Sequence, residues 1–430
     1  MDHVKSLKCL ICAAEYGPDE IEYVCPKHGD DGIVDIQYDY ELIGRRIGPA
    51  MLARNPDPTI WRYRPLLPIR PDSPVPPLTV GGTPLYRADR LARGLGLKHV
   101  WVKDDGRLPT ASFKDRASAL AVVKGRERGA EIITTASTGN AAAALSGLCA
   151  SVGQKNVIFV PQSAPPAKIA QLLVYGSTVL LVRGTYDDAF ELCLQAAKEF
   201  GWYNRNTGYN PYMSEGKKTA AYEICEQLTL GSSSLSQEER GAGGEVWAAP
   251  DRIFVPVGDG CVIGGIHKGL RDLLALGWIS AMPKLMGVQA AGSAALYEAW
   301  RTGANALDMQ PIEANTIADS ISAGLPRDRI KALAAVRETG GVYVKVTDDE
   351  ILAAIPALAR GSGVFAEPAA AAAYAGLVKA IELGLVHPAE QIVVLATGNG
   401  LKDIASARGA VGEPFVVEKD LAAVKKALSR

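Results

Sequence analysis

Leu108-Pro-Thr-Ala-Ser-Phe-Lys-Asp-Arg116 is the stretch on which the reading of this chain turns. A Pro-Thr-Ala-Ser turn delivers one lysine, Lys114, to the start of a helix-like run over residues 115–128, so its amine sits near a helix start and not on a solvated face. An amine near the positive end of a helix, and partly desolvated, gives up its proton more easily. A lysine that forms Schiff bases requires this. In isolation the Lys-Asp-Arg triplet equally suits a surface lysine opening an amphipathic helix, and its companions elsewhere in the chain decide between the two.

Outward from this turn, apolar runs alternate with helical ones. Residues 99–102, 131–135, 157–160, 179–182, 252–256, 285–289, 342–346 and 392–395 have the composition of strands. Residues 141–152, 167–175, 186–200, 220–228, 294–302, 348–360 and a stretch ending at 383 have that of helices. Strands alternating with helices argue for an α/β protein with parallel sheets. Residues 38–77, rich in Pro and Arg without a period, read as an extended arm, and 231–249 have loop composition. The tail, 414–430, reads as a strand and a helix packed on the outside.

Two further stretches complement the lysine. Gly258-Asp-Gly-Cys-Val-Ile-Gly-Gly265 joins a strand to a helix, a geometry in which backbone N–H groups converge on a phosphate at the positive helix end. Alone, it suits a nucleotide equally well. Ser137-Thr-Gly-Asn140 sets hydroxyl and N–H donors at a helix start, where they serve a bound anion or an ordinary N-cap.

Taken together these stretches carry a resemblance. Pro109-Thr-Ala-Ser-Phe-Lys-Asp-Arg116 resembles the Pro-Thr-Gly-Ser-Phe-Lys-Asp-Arg box of threonine synthases and their relatives, the fold-type II enzymes that use pyridoxal phosphate. Ser137-Thr-Gly-Asn140, the glycine loop from Gly258, and Thr397-Gly-Asn-Gly-Leu-Lys-Asp403 match further boxes in the same order, and the likeness runs from about Gly81 to Asp403. It implies a tryptophan synthase β-like fold with two α/β domains. The expected division is a zinc-ribbon-like element over 1–36, a first part of the large domain over 37–125, a small α/β domain over 126–225, and the rest of the large domain over 226–430.

The resemblance also implies roles. Lys114 would bind the cofactor covalently and move protons, Asn140 would meet its ring hydroxyl, and Thr397 its pyridine nitrogen. A neutral hydroxyl at that nitrogen makes the ring a weaker electron sink than an aspartate would. Phe113 and the loop of Gly258, Asp259, Gly260, Cys261 and Val262 would complete the cofactor seat. Ser137, Thr138 and Gly139 would take the substrate carboxylate, and Thr83, in Gly81-Gly-Thr-Pro-Leu85, is either a substrate contact or a turn former. The implied reaction eliminates phosphate from a phosphorylated homoserine such as O-phosphohomoserine and adds water to give threonine. Two alternatives stand beside it: an ammonia-lyase or β-replacement enzyme acting on an unphosphorylated amino acid such as threonine or serine, and a non-catalytic sensor.

Three positions depart from the family boxes: Met213 stands where Arg is usual, Val262 where Asn is usual, and Ala111 where Gly is usual. Arg to Met removes a fork that pairs phosphate with two charge-assisted bonds. Lys217, in place of the usual Gln, and Arg107 are the cations that could replace it.

Near the start, Cys9-Leu-Ile-Cys12 and Cys25-Pro-Lys-His28 form two knuckles with the ligand spacing of a tetrahedral zinc site. The alternative is a metal-free remnant held by packing, and either role is structural. The formal net charge of −1 argues against a general nucleic-acid or membrane surface. Met1-Asp-His-Val-Lys-Ser lacks the apolar core of a signal peptide, and seven cysteines without regular spacing read as reduced thiols. The expectation is a cytoplasmic enzyme with a small-molecule amino-acid substrate, and the resemblance implies a homodimer.

Overall fold

The computed structural model describes every residue except 138, 163, 165, 232–245 and 430. Thirteen strands among the described residues form three sheets. At the N-terminus, β1 (Val4–Cys9), β2 (Glu15–Tyr16) and β3 (Val34–Tyr38) pair antiparallel in the order β2-β1-β3. The largest sheet draws on two distant parts of the chain, β4 (Leu85–Arg87) and β5 (His99–Asp104) from one and β10 (Arg252–Pro256), β11 (Lys284–Ala290), β12 (Tyr343–Val346) and β13 (Gln391–Ala396) from the other. Between them in sequence lie β6 (Ile132–Ala136), β7 (Lys155–Pro161), β8 (Thr178–Val182) and β9 (Tyr203–Asn204), which pair in parallel in the order β8-β7-β6-β9.

The large sheet runs β12-β11-β10-β13-β5-β4, parallel throughout except for β4 at its edge. Its central strands are apolar on both faces because both faces are covered. Ile253, Val255, Val393 and Leu395 join one core cluster, while Phe254, Ile392 and Val394 join the other. The second core is filled by the helix Pro368–Glu382, whose Ala369 to Ala375 are all buried. A side chain at Gly376 would meet Val288 Cγ2 at 2.2 Å, so this helix lies too close to the sheet for anything larger than hydrogen. The alanine run is thus a packing surface.

Three expectations need correction. The arm contains the helices Tyr40–Arg46 and Pro49–Leu52 and the 3-10 stretch Ile60–Leu66. Its aromatic residues Trp61 and Tyr63 are buried, and that burial orders a segment without sequence periodicity. In the tail, residues 414–417 form no strand, and the helix Leu421–Leu428 buries none of its residues. Of the loop expected over 231–249, Gly231 closes the helix Thr219–Gly231, 246–249 are irregular, and 232–245 lie outside the described residues. No helix among the described residues is long and apolar enough to cross a membrane.

Candidate active site

Three adjacent strands, β10, β13 and β5, end in the loops that carry the candidate residues, and β6 of the smaller sheet ends just before Ser137. Parallel sheets present ligand sites at such carboxyl ends. After β5 the lysine turn is closed by its own aspartate: Thr110 donates its N–H to Asp115 Oδ2 at 2.7 Å and its hydroxyl to Asp115 Oδ1. Ala111 takes the left-handed conformation, φ 63°. The turn is then fastened to the loop after β13, since Phe113 N donates to Thr397 O at 2.8 Å and Asn399 N to Ala111 O at 3.1 Å. The helix Lys114–Glu127 begins at the lysine itself. Its third residue, Arg116, is fully buried between Asp105 and Glu223, each 2.6 Å away, and Lys103 Nζ reaches Glu223 at 2.7 Å.

Two cavities meet at this lysine. The smaller, about 60 Å³, is lined by Lys114, Lys217, Thr397 and residues 258–262. The larger, about 560 Å³, shares Lys114, Thr207, Asp259 and Ser320 with it and adds Ser137, Gly139, Asn140, Arg205 and Arg327. The glycine loop has little room for side chains: a Cβ at Gly258 would lie 2.7 Å from Ile321 Cα, and Gly260 has φ 87°. Immediately after it begins the helix Cys261–Ala275, with unpaired N–H groups at its positive end.

Buried cations at these cavities lack ion-pair partners among the described residues, although Asp187, Asp259, Glu313 and Asp319 also line the larger one. Burial lowers the pKa of Lys114, opposed by the Glu367 carboxylate, and the amine has no ion pair among the described residues. Lys217 is fully buried, its pKa is pulled down to about 8 by burial, and it has one hydrogen bond among the described residues, 3.5 Å to Thr207 Oγ1. Arg205, also buried, is pulled down to about 10. Its Nε donates to Ser118 Oγ at 3.1 Å and its Nη1 to Thr207 Oγ1 at 3.0 Å, while Nη2 has no partner among the described residues. Asn140 Nδ2 donates to Glu367 Oε1 at 2.8 Å and to Ser320 Oγ at 3.2 Å, and burial raises the pKa of Glu367. A primary amine, a glycine cradle at a helix start and unpaired cations suit a small anionic molecule with a reactive carbonyl and a phosphate.

Most of the expected residues therefore meet at one place, with three exceptions. Thr83 lines neither cavity, because its hydroxyl is taken by Asp105, 2.6 Å away, inside the buried Arg116 cluster. The Phe113 ring is in the core and lines neither cavity, while its backbone N–H bonds the Thr397 loop. Thr138 lies outside the described residues. Met213 is buried in the core away from both cavities, and Arg107 is exposed. Sequence reasoning missed Arg205, Thr207, Ser320 and Glu367. The Glu367-Pro368 pair at a helix start was a signal for the last, whereas nothing in Asn204-Arg-Asn-Thr207 distinguishes its arginine.

At the N-terminus, the ligand atoms of Cys9, Cys12, Cys25 and His28 all lie within 4.8 Å of one another. Cys12 Sγ and Cys25 Sγ are 3.9 Å apart, Ile11 N donates to Cys9 Sγ at 3.4 Å, and Tyr16 Oη lies 3.0 Å from Cys25 Sγ. His28 Nε2 is buried without a hydrogen-bond partner among the described residues, which suits a nitrogen kept for a metal.

Comparison with known proteins agrees with this geometry. The model of a family described as pyridoxal-phosphate dependent enzyme matches residues 77–398. The chain is 39% identical to the threonine synthase of Methanocaldococcus jannaschii, over 98% of both chains, and 39% identical to that of Methanosarcina acetivorans over the same shares. A threonine synthase of Synechocystis is 37% identical, over 80% of this chain and 84% of its own. Among solved structures, the processed form of threonine deaminase isoform 2 from Solanum lycopersicum matches with a TM-score of 0.61 at 22% identity, covering 81% of this chain and 82% of that one. Diaminopropionate ammonia lyase from Escherichia coli matches with a TM-score of 0.62 at 18% identity, covering 84% and 91%. These structural likenesses speak to the fold alone.

Proposed function

The chain belongs to the threonine synthase family of pyridoxal-phosphate-dependent enzymes, and from that premise we propose that it converts O-phosphohomoserine and water to threonine and inorganic phosphate. The observation that carries the reading is the Lys114 amine, without an ion-pair partner among the described residues and lowered in pKa by burial, at the wall shared by the glycine-loop cavity and the larger one. Bound pyridoxal phosphate supplies a carbonyl that condenses with amines and a ring that accepts electrons from the substrate's α carbon.

The chain's own residues do the rest. The N–H groups of Gly258, Asp259 and Gly260 and the start of the helix Cys261–Ala275 hold the cofactor phosphate, with Cys261 and Val262 closing the cavity beside them. Asn140 holds the ring hydroxyl through the amide that now bonds Glu367, and Thr397 meets the ring nitrogen without charging it. Ser137 and Gly139, at the wall of the larger cavity, hold the substrate carboxylate at the start of the helix Asn140–Ser151. Lys114, its pKa lowered by desolvation, moves the protons at the α and β carbons. The ammonia-lyase and sensor alternatives draw on fold likeness only, against 39% identity along the whole chain to threonine synthases.

Loaded protein should absorb near the violet edge of the visible range, lose that band on borohydride treatment, and release phosphate from O-phosphohomoserine; Lys114→Ala should do none of these. Keto acid and ammonia from threonine or serine, without phosphate release from O-phosphohomoserine, would overturn the reading.

We further propose a structural zinc ion on Cys9, Cys12, Cys25 and His28, supported by the convergence of their ligand atoms. One zinc per wild-type chain and none in Cys9→Ser is the expected analysis. The division at 36, 125 and 225 is kept, with support from the three separate sheets. A cytoplasmic homodimer is the proposed working form; seven unpaired thiols fit a reducing compartment, and light scattering tests the dimer.

A further inference from the structure

Among the described residues, Arg205 is the one cation at the larger cavity with neither a carboxylate partner nor a part in the proposed proton transfers. Three cations among the described residues line that cavity. Lys114 is the amine of the proposed reaction, and Arg327 is neutralised by Asp187 at 2.9 Å and Glu191 at 3.7 Å. Arg205 is 1% exposed and has no carboxylate partner among the described residues. A buried guanidinium left unpaired is costly, and such a cost persists where the group serves a ligand. Its orientation is also fixed. Ser118 and Thr207 hold Nε and Nη1, which leaves the planar fork with Nη2 unbonded. The position where a phosphate-pairing arginine would be expected, 213, holds a methionine with 0% exposure that lines neither cavity.

We propose that Arg205, oriented by Thr207, binds the phosphate of the substrate and so makes the enzyme specific for a dianionic leaving group. This rests on the threonine synthase reading and moves the phosphate-binding fork from position 213 to 205. When Lys114 takes a proton from Cβ, that C–H pair forms the Cβ=Cγ bond, the Cγ–O pair leaves on the phosphate oxygen, and the guanidinium stabilises the departing dianion. No proton need come from Arg205, which keeps its charge throughout.

The test uses cofactor-loaded Arg205→Met and Arg205→Lys and three ligands: O-phosphohomoserine, inorganic phosphate as an inhibitor, and L-threonine followed through the cofactor absorbance. Loss of a charge-assisted pair to a dianion should weaken both phosphate ligands about 100-fold in Arg205→Met. L-Threonine binding should stay within about threefold, and Arg205→Lys should recover part of the loss. If Arg205→Met does not load cofactor, Thr207→Val reads the same seat through weaker phosphate binding alone. The proposal is overturned if the wild type releases phosphate while both variants bind it normally, or if all three ligands weaken equally. Arg205-dependent inhibition by phosphate in a protein that does not turn over O-phosphohomoserine would keep the dianion seat and sink the threonine synthase reading instead.

Discussion

Lys217 offers a measurement in which stability and ligand affinity move in opposite directions. Its ammonium is fully buried, with one long hydrogen bond to Thr207, and burial lowers its pKa from 10.5 to about 8. At about 1.4 kcal/mol per pH unit, that gap means the charged form costs the cofactor-free fold about 3 kcal/mol at pH 7. The folded pKa lies below the unfolded one, so between pH 8 and 10.5 the unfolded chain binds more protons. Stability therefore rises with pH across that window, by about 3 kcal/mol in all. Lys217→Met keeps the chain length and deletes the charge. Urea denaturation of cofactor-free protein at pH 7, 8.5 and 10 should find the variant more stable at pH 7, by up to about 3 kcal/mol, with the contribution of this group to the pH slope gone. A bound phosphate reverses the balance, since it supplies the missing counter-charge, so the same variant should hold pyridoxal phosphate more weakly. A variant no more stable than wild type at pH 7, with an unchanged slope between pH 8 and 10.5, would refute the argument.

Other outcomes follow from the same geometry. Ala111→Gly relieves a left-handed alanine in the lysine turn and should stabilise the protein by up to about 1 kcal/mol, read as a raised Tm with activity unchanged. Glu223→Ala leaves Lys103 and Arg116 buried with one carboxylate, Asp105, between them and should cost about 3–5 kcal/mol in urea unfolding. Glu367→Gln keeps an acceptor for Asn140 but removes the carboxylate that raises the pKa of Lys114. The acid limb of the pH–rate profile should therefore move to lower pH, and an unmoved limb would exclude that influence.

The lysine turn shows how much of this was legible in the sequence. Lys114, the glycine loop, Asn140 and Thr397 are each set by short contiguous stretches at strand ends, and the structure brings all of them to the two cavities. Alternation of apolar and helical runs likewise gave the parallel strands to within a few residues, because buried parallel strands must be continuously apolar. What remained hidden depends on contacts between distant residues. Thr83 reads equally as a substrate contact or a turn former, yet Asp105 and Glu223 consume its hydroxyl from 22 and 140 residues away. Arg116 and Arg205 are both buried arginines, and only the carboxylates beside the first separate a structural charge from an available one. Position 213 shows the converse: a motif reading registers the lost arginine, but whether another cation takes its work is decided by the pairing of every charge near the cavity. That pairing is a property of the folded chain, and at this site it leaves Lys217 and Arg205 without counter-ions among the described residues. Their presence at the walls of two neighbouring cavities favours two anionic groups bound side by side, one on the cofactor and one on the substrate.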